Sequence, residues 1–383
     1  MTGLVLQFGT SRFLQAHADL FLHEAAEAGQ DVPPIAIIQT SGAAERAGRV
    51  DAFNAPEGFP VIIRGLENNV PVERTIQVKS VKQGLSVLRD WVQIVALFST
   101  QATYIVSNTG DAGYELHADE ADGSWDDQLL GANVPAPSFP GKLAQLLYAR
   151  YLSNGGVLTI LPCELISNNG AILREKVSYM AHRGGADEGF FVWLDANVIF
   201  ANTLVDRIVS EPLEPAGAVA EPYALWAIAR QPGLSVPCTH PAIVLADDLE
   251  PFERLKLHIL NLGHTVLADI WLTQKRPQDE TVRAILADPP IRAQLEAIYR
   301  DEVLPGFAAH GMEAEARAYI EVTLSRFLNP FLNHRIADIA TNHATKIERR
   351  IGAFLTWAGT PAPVLTAIAK GGTRPSRLAN IFI

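Results

Sequence analysis

The sequence predicts an α/β protein in which a domain built on a parallel sheet, residues 1–228, precedes a mainly α-helical domain, residues 229–383. Three observations lead to this fold class. The chain has 383 residues, which is too long for one ordinary core. In the first half, short apolar runs alternate with segments of helical periodicity, as in βαβ units. After residue 229 nearly every segment has helical spacing, with prolines between the segments.

Composition narrows the classes of function. Hydrophobic residues make up 48% of the chain, which indicates a globular protein, and the formal net charge of -11 argues against a nucleic-acid surface and favours a small-molecule partner. The two cysteines, Cys163 and Cys238, lie far apart and form no metal-binding pattern, so we expect a reducing compartment and no metal site. The N-terminus lacks a charged leader and no apolar run is long enough to span a membrane, so we expect a cytoplasmic protein.

The first predicted strand, Leu4–Phe8, ends at Gly9 and is followed by Ser11, Arg12, Phe13 and a helical pattern that runs on through residue 25. Strand, tight turn and helix is the order that brings a phosphate to free amides at a helix N-terminus. The fingerprint of dinucleotide-binding turns has three glycines, of which only Gly9 is present here. A turn that binds no nucleotide is therefore the alternative.

Two later strands place polar residues where parallel sheets bind ligands. One strand is predicted over residues 35–38, and no acidic residue that would bind the ribose hydroxyls follows it. The sequence therefore does not decide between NAD and NADP as the cofactor. Residues 104–107 form another strand, and ligands bind at the carboxyl ends of such strands. We expect the cofactor to contact residues that follow the strands, together with one asparagine in a later loop. These residues are Gly9, Ser11, Arg12, Phe13, Gln39, Thr40, Asn108, Thr109, Ala112 and Asn202.

The rest of the first half is predicted to complete the sheet domain. Cys163 follows a buried strand and has no partner base nearby, so we interpret it as a small buried residue rather than a nucleophile. Asn202 lies in a loop. The predicted elements are a hairpin of residues 61–64 and 71–76, helices over residues 142–153 and from residue 171, and strands over residues 156–161 and 191–194.

The most informative stretch of the second half is residues 251–265. If it is helical, at about 100° per residue, Lys256 and His264 lie about 80° apart, Glu253 falls between them and Asn261 flanks the same arc. A base, a carboxylate, an amide and an imidazole on one side are the groups of a proton-transfer site, because a lysine in a semi-buried pocket loses hydration and its pKa falls toward neutrality. The plain alternative is a solvated helix face. The apolar side is predicted to consist of Leu255, Ile259, Leu262 and Val266.

A second polar stripe is predicted on one helix over residues 336–354. His334, Asp338, Asn342 and Lys346 recur there every four residues. Such a stripe is usually a solvated face, but if it faces the site helix, Lys346 and Asn342 are candidates for binding an anionic substrate. The other predicted helices cover residues 265–272, 279–287, 291–303, 314–328 and 363–369.

Motifs occur in one order along nearly the whole chain. They are Gln7-Phe8-Gly9, Ser107-Asn108-Thr109, Ser138-Phe139-Pro140-Gly141-Lys142-Leu143, Pro162-Cys163-Glu164, Asn202-Thr203-Leu204-Val205-Asp206-Arg207-Ile208 and Arg326-Phe327 with Asn329-Pro330-Phe331. The most specific is the K-x4-N-x2-H arrangement of Lys256, Asn261 and His264. With these motifs the chain resembles the polyol-specific long-chain dehydrogenase family, which includes mannitol dehydrogenases and hexuronate reductases.

The resemblance implies a Rossmann-like first domain and a metal-independent, nicotinamide-dependent oxidoreductase. It implies that Lys256 is the general acid/base and that the amides of Asn202 and Asn261 polarise the substrate carbonyl. It also implies that His264 orients the substrate and that Glu253 helps to relay the proton. Because family members include monomers, we expect a monomer or a weak homo-oligomer.

The residues of these motifs most resemble those of the tagaturonate and fructuronate reductase branch. The resemblance therefore implies interconversion of a keto-hexuronate and its aldonate, altronate or mannonate, with NAD as cofactor and NADP not excluded. There are two departures: Ser11 stands at the usual second glycine of the turn, and Asp338 stands where polyol enzymes have an arginine. The alternatives are a mannitol or mannitol-1-phosphate dehydrogenase and, in another class, a nucleotide-binding protein without catalysis.

Overall fold

A computed structural model describes residues 3–41, 47–67, 70–110, 113–131 and 133–371. The chain forms two compact units, the first comprising Met1–Ile63 and Arg74–Leu249, the second Arg64–Glu73 and Glu250–Ile383. This division follows Leu249, whereas composition places the expected boundary after residue 228. Within the described ranges, no helix combines the length and the apolar character that crossing a membrane requires.

The first unit is built on a six-stranded sheet with the order β5-β2-β1-β6-β7-β8, in which every neighbouring pair is parallel. Numbered among themselves, these six strands follow the order 3-2-1-4-5-6 of dinucleotide-binding folds, which confirms the predicted Rossmann-like domain. The first eight strands of the chain are β1 Leu4–Phe8, β2 Ile35–Gln39, β3 Phe59–Glu67, β4 Val70–Val78, β5 Val81–Ser86, β6 Ala102–Ser107, β7 Leu158–Pro162 and β8 Val198–Phe200.

Helices cover both faces of this sheet, which explains why its strands are continuous apolar runs. Leu6 and Phe8 of β1 pack into one core, whereas Val5 packs into the other. The helices of the first unit are α1 Arg12–Gln15, α2 Ala18–Glu27, α3 Ala47–Ala52, α4 Trp91–Thr100, α5 Ala118–Ala121, α6 Asp126–Leu129, α7 Phe139–Leu152, α8 Asn169–Arg183 and α9 Glu188–Asn197.

The strand predicted over residues 191–194 is wrong, because this segment belongs to α9. Asp187 caps the helix by accepting a hydrogen bond from the Phe190 amide at 2.8 Å. Phe190 and Leu194, four residues apart, bury one helix face in the core. The sixth strand of the sheet instead follows immediately, as β8.

The other described strands form two smaller sheets. One has the strand order β10-β11-β3-β4 and the other has the order β13-β12-β9. Strands β3 and β4 confirm the predicted hairpin strands. The remaining strands are β9 Thr203–Asp206, β10 Val209–Pro212, β11 Ala218–Ala220, β12 Leu225–Ala229 and β13 Ile243–Ala246.

The part of the second unit that follows residue 249 is helical throughout its described regular elements, as predicted. Its α-helices are α10 Glu250–Leu255, α11 Leu262–Gln274, α12 Val282–Leu286, α13 Pro289–Ile298, α14 Leu304–Ala308, α15 Glu313–Phe327, α16 Ile336–Ile339, α17 His343–Lys346, α18 Ala353–Ala358 and α19 Pro363–Ala369.

The described residues of this unit contain three π-helical turns: Lys256–Asn261, Tyr299–Val303 and Ile347–Gly352. Each joins two α-helices without a break, so the continuous helices run over residues 250–274, 289–308 and 343–358. Because π turns make up well under 1% of residues in ordinary proteins and often mark functional sites, three in one unit are notable. The turn Lys256–Asn261 packs against both of the others.

Candidate active site

The helix that carries the predicted catalytic residues contains a wide turn, so the expected regular α-helix through residues 251–265 is corrected. The Leu262 amide donates hydrogen bonds to the Leu257 carbonyl, five residues back, and to the Ile259 carbonyl, three residues back. Such i→i+5 pairing adds one residue to the turn. Lys256 and Asn261 are its first and last residues, and His264 follows one turn later.

The added residue changes which side chains share a side of the helix. At about 100° per residue, a regular α-helix would set Lys256 and Asn261 about 140° apart and Lys256 and His264 about 80° apart. With one surplus residue between them, spacings of five and eight act as spacings of four and seven, which correspond to about 40° and about 20°. The wide turn therefore brings the three residues to one side.

The opposite side of this helix is anchored in the core of the second unit. Ile259, Leu262 and Val266 are fully buried, and Leu255 packs against the same cluster while partly exposed. This confirms the predicted apolar side. Glu253 lies in the first turn of α10, three residues before Lys256, and both residues are partly exposed.

His264 is buried and electrically neutral. Its ring lies against Phe327, with centroids 4.5 Å apart, and edge-on to His334 at 4.9 Å. Burial holds the pKa of His264 well below its ordinary value, and neighbouring positive charges lower it further. The His264 Nε2 atom has no hydrogen-bond partner among the described residues, so it can meet an oxygen of a ligand.

Three cations surround this histidine, although the chain as a whole has a net charge of -11. Arg326, Lys346 and Arg350 each contribute a positive charge that lowers the pKa of His264. Arg326 is buried and donates to the Tyr319 hydroxyl at 3.4 Å. A concentration of cations at partly buried positions is the environment in which a carboxylate or phosphate binds.

Two of these cations are held by backbone carbonyls. Lys346 Nζ donates to the Ile339 carbonyl at 2.7 Å, and desolvation lowers its pKa. Arg350 Nη1 donates to the Asn261 carbonyl at 3.3 Å and to Thr265 Oγ1 at 3.2 Å. The guanidinium of Arg350 therefore lies beside the end of the wide turn.

The polar stripe predicted on one helix is wrong, because the segment is broken. Helix α16 ends before Asn342, whose φ of 55° is left-handed and cannot continue a right-handed helix. His334 precedes α16, and Asp338 is exposed and pairs with Arg335. Of the four residues, Lys346 and His334 lie beside His264, whereas Asn342 is exposed at the break. Substrate binding by Asn342 stays a prediction.

In the first unit, the turn after β1 brings two strand ends together. Gly9 has a φ of 109°, and a methyl group on it would lie 2.4 Å from the Asn108 carbonyl oxygen, so only glycine fits. Ser11 caps the following helix, because its Oγ accepts from the Leu14 amide at 3.2 Å. The helix predicted to run on from here is interrupted between α1 and α2.

Arg12 and Phe13 are both held within the first unit. Arg12 pairs with the exposed carboxylate of Glu214 at 2.5 Å and donates to the Gly217 carbonyl at 3.2 Å. Phe13 stacks on His17, with ring centroids 4.6 Å apart. Their predicted contact with a cofactor stays a prediction.

A cavity of about 300 Å³ opens at the carboxyl ends of β2 and β6. Thr40, which follows β2, and Thr109, which follows β6, line it together with His117 and Lys142. Gln39 is buried at the end of β2. This edge flanks the point between β1 and β6 where the strand order reverses, which is where such sheets bind nucleotides.

Glu164 organises this edge, although sequence reasoning named it only as part of a motif. Its carboxylate accepts hydrogen bonds from the Thr109 amide and hydroxyl, both at 3.0 Å, from Ser107 Oγ at 2.9 Å and from the Tyr114 hydroxyl at 3.1 Å. Burial raises its pKa, while several of these bonds act in the opposite direction. The signal available in the sequence was an acidic residue two positions after the end of a buried strand.

Asn108 and Cys163 connect β6 and β7 below this edge. Asn108 Nδ2 donates to the Cys163 carbonyl at 2.8 Å. Cys163 is fully buried, its side chain forms no disulfide, and burial raises the pKa of its thiol, in agreement with its interpretation as a small core residue. Ala112 lies outside the described residues.

Asn202 is oriented by the start of α8. Its Oδ1 accepts from the Ala171 amide at 3.0 Å, and its Nδ2 lies 3.5 Å from Asn168 Oδ1. The neighbouring Asn169 is fully buried and donates to the Thr203 carbonyl at 3.0 Å. The Asn202 amide thus accepts through its oxygen from α8 and donates one N–H to Asn168, and its second N–H can donate to a ligand.

These features fit a nicotinamide dinucleotide. The strand order, the close approach at Gly9 and the cavity between Thr40 and Thr109 are those of a sheet edge that admits a cofactor backbone. Among the described residues, no group of three or more His, Cys, Asp or Glu side chains is arranged to hold a metal ion.

Comparison with known proteins agrees with this architecture. The D-sorbitol dehydrogenase structure in substrate-free form superposes with a TM-score of 0.77 at 18% identity, covering 97% of this chain and 78% of that one. The Pseudomonas fluorescens mannitol 2-dehydrogenase, in a ternary complex with NAD and D-mannitol, gives a TM-score of 0.70 at 17% identity, covering 99% and 77%.

Sequence relatives are more similar. The altronate oxidoreductase of Bacillus subtilis strain 168 is 29% identical over 90% of this chain and 73% of its own length. That of Escherichia coli O1:K1 is 30% identical over 98% and 77%. Residues 4–235 match the mannitol dehydrogenase Rossmann domain, and residues 248–360 match the mannitol dehydrogenase C-terminal domain. The chain therefore belongs to the mannitol dehydrogenase family and is a nicotinamide-dependent dehydrogenase that acts on CH–OH groups.

Proposed function

We propose that this dehydrogenase interconverts a keto-hexuronate, tagaturonate or fructuronate, and its aldonate, altronate or mannonate. The observation that carries the proposal is the cluster of Arg326, Lys346 and Arg350 around neutral His264, in a protein whose overall charge is negative. A neutral polyol carries no negative charge that would complement a cluster of cations, whereas a sugar acid has a carboxylate. The altronate oxidoreductases at about 30% identity support the same substrate class.

In this proposal Lys256 is the general acid/base. When bound, the nicotinamide supplies or accepts the hydride at the substrate carbon. As negative charge grows on the ketone oxygen, the Lys256 ammonium donates a proton to it, and the amide N–H groups of Asn261 and Asn202 donate hydrogen bonds. In the reverse direction the Lys256 amine takes the proton from the hydroxyl.

Other residues orient the substrate and the proton. His264 accepts or donates one hydrogen bond at a neighbouring substrate hydroxyl, because it is neutral and its Nε2 is unpaired within the described part of the chain. Arg350 and Lys346 pair with the carboxylate. Glu253, three residues before Lys256, relays the proton between Lys256 and solvent.

We propose NAD as the cofactor rather than NADP. Lys142, which lines the cavity beside Thr40, is buried and donates to the carbonyls of Pro137 and Ser138 at 2.6 and 3.4 Å. It is therefore already engaged and is poorly placed to pair with a 2′-phosphate. We further propose that the protein acts in the cytoplasm, as a monomer or weak homo-oligomer, on a small sugar acid.

The test is oxidation of NADH and NADPH with tagaturonate, fructuronate, fructose and fructose 6-phosphate. We expect turnover with a keto-uronate and NADH. In Lys256→Ala we expect kcat to fall by roughly 10³-fold or more, because the proton donor is lost. Lys82→Ala, an exposed lysine in β5, is the matched control and should keep the wild-type rate. Preferred turnover of fructose or fructose 6-phosphate would instead assign a polyol or polyol-phosphate dehydrogenase.

A further inference from the structure

The wide turn Lys256–Asn261 needs support from outside its own helix. Replacing i→i+4 by i→i+5 pairing leaves one surplus residue in the turn, and a carbonyl there loses its regular partner. Surplus turns of this kind persist where neighbouring groups hold them. The question is therefore which residues bond to the carbonyls of this turn.

One support comes from the buried side. The Tyr299 hydroxyl donates to the Ile259 carbonyl at 2.9 Å, and both residues are buried. Burial raises the pKa of Tyr299 far above its ordinary value, so the hydroxyl keeps its proton and remains a donor. A tyrosine hydroxyl placed inside a core without a partner would be costly, and here its bond is made to the wide turn.

Gly263 makes this bond possible. A methyl group at Gly263 would lie 1.9 Å from the Tyr299 hydroxyl oxygen and 3.1 Å from the ring carbon that carries it. No other residue type gives the tyrosine room to reach the Ile259 carbonyl. Gly263 has no left-handed backbone angle that would otherwise require glycine, so close approach is the physical reason for it.

A second support comes from the other end of the turn, where Arg350 and Thr265 both donate to the Asn261 carbonyl, at 3.3 and 2.9 Å. Tyr299 and Arg350 themselves lie in the other two π turns of the unit, both of which pack against Lys256–Asn261. The three wide turns are thus linked by side-chain donors that converge on one of them.

We propose that Tyr299, in the space left by Gly263, is a positioning residue that holds the wide turn and so keeps Lys256, Asn261 and His264 on one side of their helix. The inference rests on the proposed function only in that these three residues act on the substrate. Loss of the hydroxyl lets the turn relax toward α-helical pairing, which rotates Asn261 away from Lys256 by up to about 100°.

The test compares Tyr299→Phe with Tyr104→Phe. Tyr104 also donates its hydroxyl to a carbonyl, that of Val236 at 3.1 Å in the first unit, so the same chemical group is removed away from the turn. For Tyr299→Phe we expect kcat to fall about tenfold or more while KM for the keto-uronate changes about threefold or less. We also expect a larger primary isotope effect with NADH deuterated at the transferred position. Tyr104→Phe should show neither change.

A readout that needs no turnover is amide hydrogen exchange over residues 256–263. Tyr299→Phe should speed exchange there by about fivefold or more, as expected for the loss of about 1 kcal/mol of local stability, and Tyr104→Phe should not. The proposal would be overturned if Tyr299→Phe exchanged its amide hydrogens over residues 256–263 at the wild-type rate. It would also be overturned if exchange became faster while kcat and the isotope effect kept their wild-type values. If the wild type reduced no substrate in the panel, the proposed function would fail, and the exchange experiment would still decide whether Tyr299 holds the turn.

The double variant separates packing from hydrogen bonding. Gly263→Ala should fold poorly, because its methyl group meets the tyrosine oxygen at 1.9 Å. Adding Tyr299→Phe removes that oxygen and should restore much of the thermal midpoint, but it should leave kcat as low as in Tyr299→Phe alone. Restored kcat in the double variant would contradict the role of the hydroxyl.

Discussion

At the scale of single residues, buried ionisable groups define both units. Glu164 takes four hydrogen bonds that tie the loop after β6 to the end of β7, so one carboxylate fixes the position of Thr109. In the second unit, His264 is kept neutral by burial amid cations. The sequence identifies these ionisable residues but does not predict that they are buried, because burial depends on contacts between segments far apart in the chain.

His258 offers a test of such a buried group that is separate from catalysis. It stacks on Trp357 at 5.2 Å, and burial, with the nearby charge of Arg254, lowers its pKa to about 4. In the unfolded chain this histidine takes a proton below pH 6.5, whereas in the folded protein it does so only near pH 4. Its contribution to stability is therefore complete above pH 6.5 and is lost as the pH falls toward 4.

Between pH 7 and pH 5, we expect the free energy of unfolding to fall by about 2 kcal/mol more in the wild type than in His258→Phe. The buried histidine costs about 1.4 kcal/mol for each pH unit below 6.5. Urea unfolding followed by circular dichroism at the two pH values measures the difference. His182→Phe, at an exposed position of α8, should retain the wild-type dependence. Equal pH dependence in wild type and His258→Phe would show that His258 titrates normally in the folded protein.

At the scale of elements, regular periodicity predicted most strands and helices. The predictions that were wrong concern segments whose periodicity is ambiguous or interrupted. The apolar run of residues 191–194 suits a strand or a helix equally, and only the cap at Asp187 and packing by Phe190 decide for a helix. The break at Asn342 was missed because asparagine is not a strong helix breaker in sequence. The wide turn had a signal that was not used: on a regular α-helix, spacings of five and eight spread the three side chains over about 140°.

The turn after β1 gives an element-scale prediction. Gly9→Ala should weaken NADH binding by about tenfold or more, because the added methyl would lie 2.4 Å from the Asn108 carbonyl oxygen and must displace the loop that carries Thr109. Gly29→Ala is the matched control: its φ of 87° is also left-handed, but no atom lies within 4 Å of the added methyl. It should cost about 1 kcal/mol of stability and leave NADH affinity unchanged. Fluorescence titration with NADH measures both, and equal affinities would refute the role of Gly9.

At the scale of the whole molecule, the chain divides its tasks between two compact units. The first presents the strand order and sheet edge of a dinucleotide site, and the second presents the lysine, the amide and the cations. The sequence predicted a sheet domain followed by a helical domain. It did not specify the order of the strands, because pairing between parallel strands depends on crossovers and not on local pattern.

This division predicts where each ligand protects the backbone from hydrogen exchange. NADH should slow exchange in the first unit at residues 9–15 and 107–110, where β1 and β6 end. The keto-uronate should slow it in the second unit at residues 256–265 and 346–350, around the wide turn and the cations. Mass spectrometry of peptides after exchange distinguishes these segments. Protection by the sugar acid confined to the first unit would contradict the assignment of the carboxylate to Lys346 and Arg350.

The wide turn also matters to anyone who transplants the proposed catalytic set. A designer who copies a lysine, an amide and an imidazole onto an ordinary helical scaffold at the spacing found here, five and eight, would spread them over about 140° of the helix surface. On such a scaffold the groups belong at spacings of four and seven. Alternatively, the designer must import the surplus residue together with a tyrosine donor and a glycine opposite it.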